Sequence, residues 1–218
     1  CSHFSSADSR SLFNSSQEDV FLDALDKLRS LGYFPRWVHL GNSAAIFWTD
    51  NRMLTAFRPG LALYGYNPLD YENKATDKLR PALEAFSSVV SLQSVESGEH
   101  VSYGDSFIAK QATQIAAIPF GYYEGLDRRL SNEAQFLVYG ANDTLAKIAG
   151  RVCMNLTCLD IGSDNINIGD EVQVISSVKE AVNSIDNLAN LMDTIPYEVL
   201  VKLQANIRRI IINFANIK

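Results

Sequence analysis

The sequence predicts two regions of different class, α/β over residues 1–77 and all-β over residues 78–218. Three observations carry this. The early region alternates apolar run, loop, long amphipathic stretch, apolar run and loop, the rhythm of parallel α/β units. From Leu79 onward, short apolar or alternating runs recur between Gly and Asn/Asp turns, the spacing of a β-barrel or sandwich. Between them Tyr71–Lys78 is polar and charged, as a domain boundary is.

The elements follow in order. Ser2-His3-Phe4 reads as the tail of a strand. The chain opens on Cys1 with neither methionine nor leader, as expected for a fragment whose upstream part is missing. Ser15-Ser16-Gln17-Glu18 has the spacing of a capping box. Behind it Val20, Phe21, Ala24, Leu25, Leu28 and Leu31 share one helical face, and Gly32 supplies the stop, which predicts a helix of about four turns. Trp37–Leu40 and Leu54–Phe57 read as short strands, each running into a loop, Gly41-Asn42-Ser43-Ala44 and Arg58-Pro59-Gly60-Leu61. In the second region the strand candidates are Leu83–Val95, Thr113–Pro119, Phe136–Tyr139, Leu145–Ile148, Leu156–Ile161 and Val172–Ile175. Ile185–Met192 is a short helix capped by Ser184, and Arg208–Phe214 a closing strand.

Composition excludes several classes of partner. The net charge is −6, from 19 Lys+Arg against 25 Asp+Glu, with no basic run, so neither nucleic acid nor an anionic membrane is expected. No apolar stretch has the length of a membrane span. Three sparse cysteines, Cys1, Cys153 and Cys158, suit reduced thiols in a cytoplasmic protein. No nucleophile elbow, P-loop or zinc spacing occurs, so no metal site is expected.

The chemistry centres on Val101-Ser102-Tyr103-Gly104. Gly104 clears space beside a phenol, and a phenol becomes a useful base where a cation or donor favours its anion. Alone, these four residues would read first as a half-buried strand tyrosine. Ser43, and Gly60 with Leu61, stand at two successive strand ends where a hydroxyl and unobstructed N–H groups suit a phosphate. In β/α barrels the loops after the last two strands frequently form such a site, although Asn-Ser and Pro-Gly are also ordinary turn residues.

Seven segments in order resemble the alanine racemase family, pyridoxal-phosphate enzymes with an N-terminal β/α (TIM-like) barrel and a C-terminal β-domain. They are Ser2–Asp8, His39–Ala44, Arg58–Gly65, Val101–Gly104, Ile118–Tyr122, Gly150–Asn155 and Pro196–Val199. The resemblance implies the last strands of the barrel in residues 1–77 and the β-domain in 78–218. It implies interconversion of L- and D-alanine for cell-wall precursors by two bases on opposite faces of the substrate. Tyr103 is one, and the lysine that holds the cofactor is the other. Ser43, Gly60, Leu61 and Tyr197 match phosphate contacts, Arg58 the residue facing the pyridine nitrogen, and His3 a neighbour linking Arg58 toward the tyrosine. Met154 matches the residue whose backbone N–H holds the substrate carboxylate. Tyr122, Arg128 and Arg151 match residues of the access channel. The family works as a homodimer, the tyrosine domain of one chain covering the cofactor of the other.

Departures qualify this. Glu124 stands where many relatives have aspartate, and none of the lysines, from Lys27 to Lys218, sits in the family's cofactor-lysine context. The alternatives are therefore a catalytically incomplete module that dimerises or binds the cofactor phosphate, and a racemase for another small amino acid such as serine. A related decarboxylase would carry a carboxylate in place of Arg58 and a glycine-run phosphate loop in place of Asn42-Ser43. His39 and His100 read as structural, and His3 and Met154 taken singly would read as a loop histidine and a core residue.

Overall fold

The computed structural model describes residues 1–212. The chain divides into two compact units, Cys1–Ala82 and a second that begins at Leu83.

The first unit carries one long helix, α1 (Phe13–Ser30). Its C-terminus is a Schellman motif: Gly32 N–H bonds Arg29 O at 3.0 Å and Tyr33 N–H bonds Leu28 O at 3.0 Å, with Gly32 at φ +86°. The stop is thus where the sequence places it. The start is not. The helix begins before Ser15, so the expected capping box does not form; Ser11 Oγ accepts the Phe13 N–H, and Glu18 instead accepts from Asn51 Nδ2 at 2.7 Å. The buried face is also narrower than expected. Leu25 is buried with Phe21 and Leu22 against it, while Val20 and Leu31 are 70% and 72% exposed.

Around Leu25 gather Phe4, Val38, Leu40, Leu54 and Leu69. The segments expected as strands at 37–40 and 54–57 do run side by side. Thr55 N–H reaches Val38 O (2.8 Å) and Arg58 N–H reaches Gly41 O (2.9 Å), with a parallel bridge between Asn42 and Arg58. Neither segment extends into a regular strand. The Thr55 hydroxyl captures the Val38 N–H at 2.8 Å and donates to Arg36 O, so a side chain takes a donor that a ladder would use. Ser2–Phe4 is likewise no strand, tied to this pair through one backbone–backbone bond, Ser2 N–H to His39 O.

The second unit is built on β1 (Ala85–Ser88), β2 (Ser91–Val95), β5 (Thr113–Ile118), β6 (Gln135–Tyr139), β7 (Thr144–Ile148), β8 (Thr157–Gly162) and β9 (Glu171–Ile175). A separate short pair is β3 (His100–Val101) with β4 (Phe107–Ile108). The main sheet is antiparallel in the order β1-β9-β6-β7-β8-β5-β2. Its two edges are consecutive in sequence. The expected single run 83–95 breaks at Val89-Val90, where Val89 N–H bonds Asp170 O and Val90 N–H bonds Ala117 O. Adjacent residues thus join opposite edges, which requires the sheet to curl back on itself. Phe136, Val138, Ala146, Ile148, Leu159 and Val172 fill its interior, on alternating positions in β6, β7 and β8.

Two helices follow, α2 (Ile185–Leu191) and α3 (Pro196–Lys202). Ser184 caps α2 by accepting the Asn187 N–H, as its position predicts. Pro196 opens α3, where a missing N–H costs nothing, so the segment Pro196–Val199 is a helix start. The expected closing strand is absent over Arg208–Ile212, which has no regular structure and leaves Ile210–Ile212 exposed; Asn213 and Phe214 lie outside the described residues. A run of isoleucines favours a strand only where an edge is there to receive it. The three cysteines are free thiols, and among the described residues no helix is long and apolar enough to cross a membrane.

Candidate functional site

In the first unit, the bridge between Asn42 and Arg58 sets two loop ends side by side. Arg58 is fixed by three acceptors. Its Nη1 meets His39 Nδ1 in a short hydrogen bond, and its Nη2 reaches Ser2 O at 2.7 Å and His3 Nδ1 at 2.9 Å. A guanidinium only donates, so both Nδ1 atoms accept, and the neutral His39 ring carries its proton on Nε2. Loss of solvent, then the Arg58 charge, hold His39 below the usual imidazole range. His39 therefore belongs to this cluster, although its sequence context marks it only as a strand residue. The signal available was its place two residues before Gly41, next to the segment that Arg58 joins.

Ser43 is 2% exposed, and its Oγ accepts the N–H groups of Gly60 (2.7 Å) and Ala62 (3.4 Å). Both lone pairs are then engaged and the hydroxyl proton is left to donate. Gly60 and Ala62 bracket the start of the short 3₁₀ helix Leu61–Tyr64, whose first N–H groups lack helical partners. A Cβ at Gly60 would meet only Ser43 Oγ, at 3.8 Å, so a side chain there would fill the space that this cradle faces. Asn42 Oδ1 holds the neighbouring turn by accepting from the N–H groups of Ala44 and Ala45. A hydroxyl, converging backbone N–H groups and a fixed cation fit a phosphate-bearing aromatic cofactor.

The second unit sets its candidate residues on three loops, 102–106, 121–132 and 150–155. Tyr103 lies in the first, 70% exposed. Three residues of that turn have positive φ: Ser102 (φ 72°, ψ 176°), Gly104 (67°) and Asp105 (50°). For a residue with a Cβ, backbone in the Ser102 region costs on the order of 1–3 kcal/mol and persists only where its surroundings hold it. The Asp105 carboxylate sits 3.4 Å from His100 Nδ1. A Cβ on Gly104 would lie 3.7 Å from Arg151 Nε and Nη2, which puts a guanidinium along the turn that presents the phenol.

The middle loop is the hub. Tyr122 and Tyr123 donate their N–H groups to Cys153 O (3.0 Å) and Met154 O (2.8 Å). The approach is so close that a Cβ on Gly121 would fall 2.3 Å from Cys153 O. Glu124 closes this contact, one oxygen accepting the Gly121 N–H at 2.8 Å and the other Asn155 Nδ2 at 3.0 Å. Its extra methylene over aspartate is used to span both loops. Arg128 is exposed at the start of a 3₁₀ turn, and Ser131 Oγ links its carbonyl to the Val152 N–H. Tyr122 and Met154 are 43% and 55% exposed.

Beneath Arg128, the Asp127 carboxylate accepts from Arg129 and from Lys202 Nζ (2.7 Å), and Glu198 pairs with the same two cations. The Arg129 hydrogen bonds, reinforced by Lys202, hold Asp127 far below the usual carboxylate range, against a smaller opposing effect of burial. The network fastens α3 to the hub, and Tyr197 stands in the first turn of that helix. The first unit thus gathers His3, Ser43, Arg58, Gly60 and Leu61. The second carries Tyr103, Tyr122, Arg128, Arg151 and Met154 on interlinked loops, and Tyr197 on the helix joined to them.

A curled antiparallel domain preceded by a unit with a phosphate-type cradle defines the class. Residues 82–211 match the family "Alanine racemase, C-terminal domain" and residues 1–68 match "Alanine racemase, N-terminal domain". The chain belongs to the alanine racemase family, its first unit closing the TIM-like barrel domain and its second forming the β-domain. It is 35% identical over 213 residues to alanine racemase 2 of Caldanaerobacter subterraneus subsp. tengcongensis, covering 97% of this chain and 54% of that one. Among solved structures, alanine racemase of Clostridium difficile 630 in complex with cycloserine aligns with TM-score 0.80 at 31% identity, over 93% of this chain and 52% of that one. Alanine racemase of Bartonella henselae with covalently bound pyridoxal phosphate aligns at 0.78 over 95% and 55%, and its 24% identity speaks for the fold alone. The chain spans about half the length of the relatives it matches.

Proposed function

We propose that this chain supplies the cofactor cradle and one of two bases of a pyridoxal-phosphate-dependent racemase that interconverts L- and D-alanine for cell-wall precursors. The observation that carries the reading is the cluster of Ser43, Gly60 and a thrice-held Arg58 in the first unit of a chain of this family. Pyridoxal phosphate, when bound, supplies an electron-poor ring that takes up the negative charge left on the substrate α-carbon.

By the family resemblance the phosphate would be held by Ser43, Gly60 and Leu61, with Tyr197 assigned as a further contact of the same group. Arg58 would face the pyridine nitrogen and, having no acceptor, would take no proton and give none up there, which would temper the charge the ring accepts and limit side reactions such as transamination. His3 relays the Arg58 contact toward the tyrosine. Tyr103 removes or returns the α-proton on one face, and the lysine that serves the other face lies outside these 218 residues. The Met154 backbone N–H orients the substrate carboxylate, and Tyr122, Arg128 and Arg151 line the access channel. Two copies share each site, the tyrosine domain of one over the cofactor of the other.

Tyr103→Phe in the complete enzyme tests this reading. The variant removes one hydroxyl and no phosphate or ring contact, so cofactor binding is kept while racemisation falls by roughly a hundred- to ten-thousand-fold. Exchange of the α-proton with solvent deuterium should fall further for L-alanine, whose proton faces the tyrosine, than for D-alanine. Equal retention for both enantiomers, or near-normal racemisation, would make Tyr103 a packing residue.

A further inference from the structure

We infer that Ser102 is a positioning residue that aims the Tyr103 phenol through a strained backbone; the inference rests on the reading of Tyr103 as a base. Within one chain Tyr103 is 70% exposed, so packing against its own chain does little to orient the ring. Its direction is set by the turn beneath it. That turn enters through Ser102 at φ 72° and ψ 176°, a region that suits glycine and not serine.

The serine side chain is what holds the backbone there. Ser102 Oγ donates to Arg151 O at 3.0 Å and accepts the Arg151 N–H at 2.9 Å, so one hydroxyl makes both halves of a backbone-like pair with the neighbouring loop. Gly150 makes the approach possible: a Cβ there would stand 2.3 Å from Ser102 Cβ. The far end of the turn is tied to the same place. Asn132 Nδ2 donates to Ser106 O at 2.9 Å while its Oδ1 accepts the Gly150 N–H at 2.6 Å. Glycine at 102 would adopt the same dihedrals without strain but would lose the tie, and alanine would keep the strain and lose the tie. A serine that accepts an unfavourable conformation for two hydrogen bonds, one residue before the proposed base, trades backbone ease for a fixed phenol.

The test uses Ser102→Gly and Ser102→Ala in the complete, cofactor-loaded enzyme, each also combined with Tyr103→Phe. Ser102→Gly relieves the strain but removes two hydrogen bonds of similar total worth, so its Tm should change little. Its kcat should nevertheless fall about ten- to a hundred-fold with KM little changed, and α-proton exchange should fall further for L- than for D-alanine. The double variants should be no slower than Tyr103→Phe alone, since a residue that acts only through Tyr103 has nothing left to position. A readout independent of turnover is the ¹⁹F resonance of fluorotyrosine placed at 103: one sharp line in the parent, and a broadened or multiple one in Ser102→Gly. If Ser102→Gly racemises normally while Tyr103→Phe does not, or if its losses add to those of Tyr103→Phe, the inference is overturned and the base assignment stands. If Tyr103→Phe itself racemises normally, it is the underlying reading that fails.

Discussion

The two units hold their candidate residues in opposite ways. In the first, Arg58, Ser43 and Gly60 are placed by side-chain contacts around a single parallel bridge, with Arg58 leaning on two histidines and a carbonyl. In the second, Tyr103 and its neighbours sit on loops that cross-link one another beside a continuous seven-stranded sheet. The difference teaches what each end of the proposed reaction requires. A phosphate cradle gains its own bonds when a charged ligand arrives, so its donors can wait on an internal stand-in such as Ser43 Oγ. A base has no such ligand to organise it, and must be aimed beforehand by the protein.

The comparison breaks most sharply on turnover. If the second base lies outside these residues, the 218-residue chain alone should show no interconversion of D- and L-alanine, while its β-rich unit keeps the far-ultraviolet signature of a folded sheet. Racemisation by the isolated chain, free of any longer enzyme, would refute the division of labour.

A smaller effect sharpens the description of the first unit. Ser43→Ala in the complete enzyme removes the hydroxyl proposed to donate to the phosphate and the acceptor for Gly60 N–H. A lost hydrogen bond to a charged group costs about 1.5–3 kcal/mol, roughly ten- to a hundred-fold in affinity. Cofactor retention, followed by dialysis and absorbance, should weaken by that factor with the L/D symmetry of α-proton exchange unchanged. Unaltered retention would return Ser43 to the role of a turn residue.

How much of this was legible in the sequence follows the same divide. The strands of the second unit could be read because inward and outward residues alternate in β6 to β8 and glycines punctuate them. The extended segments of the first unit were visible as apolar runs, but the Thr55 hydroxyl that intercepts the Val38 N–H is a choice between partners that no pattern announces. The α1 capping box failed for a similar reason, because Glu18 finds Asn51 across the unit instead of a local N–H. Tyr103 and Gly104 stood out, yet Ser102 did not. A serine in glycine's region contradicts local propensity, and only the distant Gly150-Arg151 makes it tenable. His39 was missed because its partner Arg58 is a neighbour in space alone.

The least of the expected effects concerns the network that fastens α3 to the hub of the second unit. Asp127 lies 12% exposed between Arg129 and Lys202, whose own side chains are 46% and 37% exposed. Solvent screening of those cations keeps its worth well below that of a buried pair, so Asp127→Asn should destabilise the unit by about 1 kcal/mol, a few degrees in Tm. The pH dependence fixes the sign. Because its cations hold the folded carboxyl well below its unfolded value, the unfolded chain binds the proton more tightly. The stabilisation is therefore complete above the unfolded value near pH 4 and is lost progressively as pH falls toward the folded one. Glu198 is shifted in the same direction, by hydrogen bonds from Lys202 and Thr194, and fades in the same acid range. Asparagine does not titrate. The difference in urea midpoint between parent and Asp127→Asn should thus be constant from about pH 5 to 8 and shrink by pH 3. A gap that persists unchanged at pH 3 would mean that Asp127 acts through packing and not through its charge.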